Sequence, residues 1–378
     1  MHSLTIIVTY YNSEEYIQSC IESIKQQRTQ DFEVIIVNDG STDQTEALMK
    51  ESLKDYDKKV NYIKLEENQG HAHARNVAMK EVETPYFMFL DADDELASYA
   101  ITFYLDKFNY TDGLIAPVHS FMLKKPQYVD LDKVKVNYFD GKRNINSFLR
   151  KQTACNIIFR TAIVRAHDLK FNEDLNVYTD WSFVIEYSKY VNKFMRITNF
   201  SFYYRGEVYD PFDGKTLSEQ DFDILFEDYV KMFYDAMARV THKETKSFII
   251  NKLEQQIARD FDPTHHDIKK RYAAHKETLV ELARYLNVNL IKHQHLINKI
   301  ETILLMNEDT EKAFQVNQFR KTLRHVKNIV LRNKNKNRSI YELTDKEDNV
   351  KPETIVFESF SGKNYSDSPK SVSYTHLR

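Results

Sequence analysis

The stretch FMFLDADDELAS, residues 87–98, decides the reading of the fold. An apolar run that reads as a buried strand over residues 86–90 ends abruptly in Asp91, Asp93, Asp94 and Glu95, four acids within five residues. Crowded carboxylates repel one another and are costly to desolvate, so the pattern calls for a positive partner. A helix cap explains one acid, Asp94 or Glu95, because negative charge is stabilised at a helix N-terminus. An EF-hand loop fails, since its sixth position must be Gly and, counted from Asp91, holds Leu96. Asp91 and Asp93, two apart around Ala92, can turn their carboxylates to one side of a strand end. Such a pair suits an oxygen-liking divalent ion, Mn²⁺ or Mg²⁺, that keeps open positions for substrate phosphates.

Working back from this strand, residues 4–8 form a short β-branched run, and residues 14–26 place Ile17, Ile21 and Ile24 on one helical face. Residues 32–37 read as a second strand, followed by NDGSTD and a helix capped by Ser41, Thr42 or Asp43. Residues 60–65 read as a third strand, ENQG as a loop, and residues 71–80 as a helix burying Ala74, Val77 and Ala78. Strands alternating with helices predict an α/β fold with a mostly parallel sheet and right-handed crossovers. Ligands of such sheets bind beyond the carboxyl ends of the strands. Four loops converge there: residues 9–12, 38–41, 68–75 and 91–95.

The whole chain sets the bounds. Its 378 residues, 42% apolar, allow more than one domain with a real core. A formal net charge of -3 gives no global basic field, so nucleic acid is not an expected partner. Cys20 and Cys155, distant and in apolar surroundings, fit a reducing, cytoplasmic compartment better than a disulfide framework. No apolar stretch reaches the ~20 residues of a spanning helix. With only seven glycines and no Gly-rich phosphate loop, a bound diphosphate would depend on a metal for neutralisation.

Beyond residue 113 the pattern is mixed, with strand-like residues 157–159 and 200–204 around a helix over 182–191. Residues 1–215 are read as one catalytic domain. Residues 216–340 follow as a helical accessory region, with Phe222, Leu225, Phe226, Tyr229 and Phe233 on one face and Leu279, Leu282 and Leu286 on another. The segment 320–339, bounded by Arg320 and Arg338, holds eight basic residues and no acid. A solvated helix end and a peripheral contact with an anionic membrane are equal readings of it.

Four blocks together, VTYYNSEEYIQSCIESIKQQ, DFEVIIVNDGSTDQT, ENQGHAHARNVA and YFMFLDADDE, resemble the ordered motifs of the family 2 glycosyltransferases. The D-x-D-G-[TV] pattern of phosphatase-type enzymes, by contrast, sits on a first strand. The resemblance covers roughly residues 1–205 and implies a GT-A-type nucleotide-sugar-binding domain. It implies that Thr9, Tyr11 and Asp39 hold a uracil ring, Tyr11 by stacking and Asp39 by accepting its N–H. Arg75 would reach the nucleotide, and Asp91 and Asp93 match the D-x-D motif, with Asp93 contacting the metal. Pro usually stands where Thr9 does, and an acid where Asn38 does. The segment FNEDLNVYTDWSF resembles the family's later acidic block, so Asp180 is the expected catalytic base. Trp181, the only tryptophan, would serve as an acceptor platform and desolvate Asp180; the alternative is that Asp180 merely caps a helix. His71 would line the donor pocket, and Tyr203, Tyr204 and Arg205, at a strand end, would face the acceptor or pack the domain edge.

Residues 354–371 resemble the opening of the CDP-glycerol glycerophosphotransferases of teichoic acid synthesis. Residues 341–370 are therefore read as a linker and the truncated start of such a domain, and residues 371–378 as a non-native tail. The expected function is metal-dependent, inverting transfer from a UDP-sugar to a cell-wall polymer of teichoic acid type or a lipid-linked acceptor. The site would be cytoplasmic, peripheral on the inner face of the membrane. The competing expectation is a non-catalytic nucleotide-sugar-fold module that scaffolds a teichoic acid polymerase.

Overall fold

The computed structural model describes residues 3–107, 111–120, 130–150, 153–155, 157–206, 221–286 and 296–323. The first half alternates as the apolar pattern requires: β1 (Leu4–Tyr10), α1 (Ile17–Lys25), β2 (Glu33–Asn38), α2 (Thr45–Ser52), β3 (Val60–Lys64), α3 (His71–Glu81) and β4 (Tyr86–Asp91). There follow β5 (Glu95–Leu96), α4 (Ala100–Lys107), β6 (Gly113–Ile115), β7 (Val118–Ser120), β8 (Val136–Asp140), α5 (Ile145–Phe148), β9 (Ile157–Arg160) and α6 (Thr161–Ala166). Next come α7 (Thr179–Ser188), β10 (Lys193–Ile197), β11 (Tyr203–Arg205), and then helices α8 (Phe222–Arg239), α9 (Lys243–Asp260), α10 (Ile268–Ala274), α11 (Lys276–Ala283) and α12 (Leu296–Met306).

An eight-stranded sheet runs β3-β2-β1-β4-β9-β6-β10-β8, and a three-stranded sheet runs β5-β11-β7. β1 lies between β2 and β4, parallel to both, and β3 extends the parallel half. β9 enters antiparallel between β4 and β6, so the second half is mixed. Register places the site: Thr9 pairs with Val37 on one side and Asp91 on the other, while Tyr10 pairs with Asn38. The carboxyl ends of β1, β2 and β4 therefore finish level, and polar residues that follow them share one rim. Behind that rim Phe87, Phe89, Phe159, Phe171 and Phe183 form an aromatic core of stacked and edge-on pairs, with ring centroids 4.2–6.0 Å apart. Such pairs add ~0.5–1.5 kcal/mol beyond their burial.

Several expectations shift by a few residues for local reasons. α1 starts at Ile17 instead of residue 14, because the Glu14 carboxylate accepts the Gln44 N–H at 3.0 Å and is drawn to the neighbouring loop. No side chain caps α2; Asp43 instead accepts the N–H of Thr45, its first residue, at 3.0 Å. In α3 Ala74 and Ala78 are buried as expected, but Arg75 and Asn76 are buried where Val77 was expected. The later helix begins at Thr179, three residues ahead of 182, and Tyr203 begins the strand expected from residue 200. Gly40 adopts φ +71°, and a Cβ there would lie 2.4 Å from the Glu67 carbonyl carbon, so only glycine fits this turn.

The chain divides into two compact units, residues 1–253 and 254–378. The first continues past the expected boundary at 215, because α8 buries Phe226, Tyr229, Met232 and Phe233 within it. The division falls inside α9. In the second unit Leu279, Leu282 and Leu286 are buried as their spacing predicts. Its interior also holds a polar cluster: Glu301 accepts from Tyr272 and Asn317 and lies 3.4 Å from Arg320. Arg320, the first residue of the basic segment, thus points inward, whereas Lys321, Thr322 and Leu323 are exposed. The rest of that segment, with Arg338, lies outside the described residues, as do the resemblance at 354–371 and the expected tail. Among the described residues no helix is long and apolar enough to cross a membrane.

Candidate active site

Arg75 organises the site. It leaves the inner face of α3 between the rings of Phe89 and Phe171, its guanidinium carbon 5.1 and 5.3 Å from their centroids. One terminal nitrogen donates to Asp91 at 2.7 Å and to the Cys155 sulfur at 3.3 Å, and the other donates to Asp180. Burial opposes its charge, but Asp180, Cys155 and Asp91 outweigh that and hold its pKa above the usual arginine range. The same balance sets Asp91: burial pushes its pKa up, yet Arg75 and the Cys155 thiol hold it below the ordinary carboxylate value. Arg75 is only 3% exposed. It stands behind the carboxylates as their shared counter-ion.

The three aspartates of the acidic stretch differ in their partners. Asp91 receives Arg75 on one oxygen and the Cys155 thiol at 3.0 Å on the other. Asp94 is buried, taking the Tyr203 hydroxyl on one oxygen and the Gly206 N–H on the other. Asp93 makes no hydrogen bond or ion pair with another residue among those described. Burial and the neighbouring Asp91 charge push Asp93 up to about 6, and burial together with Asp91 and Asp93 pushes Asp94 up to about 8. Carboxylate oxygens from Asp91, Asp93 and Asp94 lie within 4.8 Å of one another. Among the described residues the cations acting on Asp93 are Arg75, which is shared with Asp180, and the exposed Arg205, so three carboxylates face fewer positive charges. An all-oxygen, under-neutralised donor set with one free carboxylate fits Mn²⁺ or Mg²⁺.

Beside this tip, Thr9 is partly buried and Tyr11 is 44% exposed, its ring free to stack on a ligand. Asp39 is buried, with one oxygen accepting the Gln69 N–H at 2.9 Å. Asn38 turns inward, donating to the Tyr62 hydroxyl at 3.2 Å and accepting the Ser41 N–H at 2.8 Å. Asn12, at φ +46°, donates its N–H to Ser41 and accepts that of Thr42. The two loops are thereby laced into one ledge.

Asp180 lies in the first turn of α7. One oxygen holds Arg75; the other accepts the Ala154 N–H at 2.9 Å and the Thr153 hydroxyl at 3.1 Å. The expected acceptor platform is absent: Trp181 is 1% exposed and stacks on Tyr229 in the core. Helical geometry turns adjacent residues about 100° apart, which sends Trp181 inward while Asp180 stays at the surface of the pocket. Tyr203 is buried and Arg205 exposed. His71 is bonded through Nε2 to the Thr179 hydroxyl at 2.7 Å, joining the starts of α3 and α7. Burial and nearby Arg75 lower its pKa, so it is neutral at pH 7.

Three residues of the site escaped the sequence reading. Cys155 and Thr153 sit in a short polar turn with no motif to mark them. Asp228 is 2% exposed on α8 and accepts the N–H groups of Asn176, Val177 and Tyr178 at 2.8, 2.8 and 3.0 Å. Its signal was an acid three residues after Leu225 and four before Met232, on an otherwise apolar helix face. Asp228→Ala is expected to destabilise the first unit by ~1–3 kcal/mol, since three part-buried backbone donors lose a buried, charged acceptor. Denaturant unfolding measures this, and transfer activity should fall further than stability because the turn leading into Asp180 loosens.

The comparisons with known proteins agree with this architecture. Residues 5–167 match the family described as Glycosyl transferase family 2, so the chain carries a family 2 glycosyltransferase domain. The Teichoic acid poly(glycerol phosphate) polymerase of Staphylococcus epidermidis is 72% identical over 372 residues, 98% of this chain and 52% of that protein. The chain thus spans about half the length of that relative. The Poly(ribitol-phosphate) beta-N-acetylglucosaminyltransferase TarS of Staphylococcus aureus is 28% identical over 224 residues, 54% of this chain and 35% of TarS. The crystal structure of TarS 1-349 in complex with UDP-GlcNAc superposes with a TM-score of 0.67 at 18% identity, covering 85% of this chain and 92% of that one. At that identity the likeness establishes the GT-A fold.

Proposed function

We propose that the first unit transfers a sugar from a UDP-sugar to a hydroxyl of a teichoic acid polymer, with divalent-metal dependence and inversion at the anomeric carbon. The observation that carries this reading is the under-neutralised carboxylate tip of β4 beside the ledge of Thr9, Tyr11 and Asp39. Tyr11 stacks on uracil and Asp39 accepts its N–H with its second oxygen. Asp93 would hold the cation directly and Asp91 would share it; bound there, the cation would neutralise the diphosphate leaving group. Asp180 is the proposed base. Three of its four lone-pair directions are filled, and the remaining one accepts the proton of the acceptor hydroxyl. The acceptor oxygen attacks the anomeric carbon as the bond to the diphosphate oxygen breaks toward the opposite face. Arg75 acts on both carboxylates without touching substrate.

The acceptor class is supported by the two relatives, named for teichoic acid poly(glycerol phosphate) and poly(ribitol-phosphate). A lipid-linked form of that polymer, a peripheral membrane seat through the basic residues beyond 323, and a polyol-phosphate polymerase domain downstream belong to the same proposal. UDP release from a panel of UDP-sugars, with poly(glycerol phosphate) as acceptor and with Mn²⁺ or a chelator, tests it. Release that needs both acceptor and metal supports the reading; no release from any donor removes it. One observation favours a second reading: Arg75 already satisfies Asp91 and Asp180, so the pocket is self-consistent without substrate. A scaffolding module of this kind would bind nucleotide and release no UDP.

Metal binding carries a pH signature. Asp93 and Asp94 have folded-state pKa values raised to about 6 and about 8, above an ordinary aspartate. Through these two groups the folded state binds more protons than the unfolded chain between roughly pH 4 and 8, and their contribution to the stability of the metal-free unit is lost as pH rises through that window. Thermal denaturation is expected to show a midpoint that falls from pH 5 to pH 8 without metal. Added Mn²⁺ should restore it at pH 8 and have little effect at pH 5, where Asp93 keeps its proton. A Mn²⁺ effect equal at both values would contradict Asp93 as the ligand.

A further inference from the structure

We infer that Tyr203 is a positioning residue that withholds Asp94 from the metal and leaves Asp93 as the carboxylate of the cluster without a partner among the described residues. The inference rests on the metal-dependent reading above. Tyr203 is the first residue of β11, fixed in register against Leu96 of β5 and Val118 of β7, and is 1% exposed. Its hydroxyl lies 3.2 Å from the Asp91 backbone nitrogen and 2.5 Å from the Asp94 carboxylate. The Asp91 N–H can only donate, so the phenol oxygen accepts there and its single proton goes to Asp94. The other Asp94 oxygen receives the Gly206 N–H at 2.8 Å. Each oxygen of Asp94 is thereby tied to β11 or to the residue after it, and Asp94 is buried.

The consequence concerns which carboxylates can ligate. Distance alone groups Asp91, Asp93 and Asp94 as three candidate ligands. Hydrogen bonding separates them: Asp94 is a strut between the acidic turn and β11, and Asp91 is shared with Arg75. The turn is closed further by the Asp94 N–H donating to the Asp91 carbonyl at 3.0 Å. A site with one free carboxylate holds a cation weakly until substrate phosphates complete the shell, which couples metal to donor binding. Freeing Asp94 would add a charged ligand and tighten the bare ion.

The test is calorimetric titration of the full chain with MnCl₂ and no nucleotide, supported by Mn²⁺ spin-resonance spectra of the bound ion. Tyr203→Phe is expected to bind Mn²⁺ about tenfold more tightly than wild type, since ligand charge count tunes such sites. Asp94→Asn is expected to leave the wild-type affinity within about twofold, and the double variant should lose the gain of Tyr203→Phe. Unchanged or weaker binding by Tyr203→Phe overturns the inference, as does an Asp94→Asn loss equal to that of Asp93→Asn. If Tyr203→Phe does not fold, Asp94→Asn against Asp93→Asn decides the matter alone. Binding untouched by Asp93→Asn would overturn the metal reading itself, a result distinct from either failure at Tyr203.

Discussion

Arg75→Met is expected to lower the unfolding midpoint of the first unit by roughly 6–20 °C, the largest effect on stability of any single change at this site. The guanidinium is buried between Phe89 and Phe171 and is the common counter-ion of Asp91 and Asp180. Removing one partner of a buried charge network costs ~3–5 kcal/mol, because the remaining charges are left uncompensated. For a unit of this size each kcal/mol moves the midpoint by about 2–4 °C. Methionine fills much of the volume, so a cavity contributes little and the electrostatic loss dominates. The cause can be isolated: adding Asp180→Asn to Arg75→Met should recover part of the midpoint, although Asp180→Asn alone lowers it. Differential scanning calorimetry of the two single variants and the double supplies the cycle. A strictly additive result would mean that Arg75 stabilises by packing on the two rings, and its charge would then have no role in ordering the site.

Asp93→Asn is expected to reduce sugar transfer about 10³-fold while leaving the metal-free fold intact. A catalytic cation contributes several kcal/mol of charge stabilisation, and about 4 kcal/mol corresponds to that factor. Asn retains the size of the side chain and removes the charge. Because Asp93 is pushed up to about 6 by burial and by Asp91, losing its charge relieves repulsion within the cluster. The melting midpoint without metal should therefore hold or rise above pH 6, whereas the Mn²⁺-dependent increment should disappear. Activity loss accompanied by a lower metal-free midpoint would instead mark Asp93 as a structural brace of the turn. Steady-state UDP release and thermal denaturation on the same preparation separate the two outcomes.

The contrast between these residues shows how far a chain can be read before it is folded. β1, β2, β3 and β4 were legible because their apolar runs are short, β-branched and punctuated by polar turns, and local pattern is enough to fix such elements. The rim followed from topology, since parallel strands with right-handed crossovers bring their carboxyl ends to one edge. Tyr11, Asp39, Asp91 and Asp93 were singled out on that basis together with the family resemblance, and the structure brings them to one rim. Trp181 was misread because adjacent positions on a helix point in different directions, and only packing against Tyr229 settles which one faces the core. The compact first unit runs past residue 215 to residue 253, which the sequence does not mark, because α8 has the periodicity of any amphipathic helix and that does not name the partner its apolar face will choose.

By itself the sequence determined the order of strands and helices from β1 to β4, the level edge that carries the acidic stretch, and the acidic and aromatic residues along it. Only the tertiary structure decided their partners: Arg75 serves Asp91 and Asp180, Cys155 serves Asp91, Tyr203 serves Asp94, and Asp228 serves the turn before α7. The physical reason is range. Backbone preference and apolar periodicity act over a few residues along the chain. The charge state and availability of a buried carboxylate depend on whichever groups folding brings within about 3 Å of it, however distant they are in sequence.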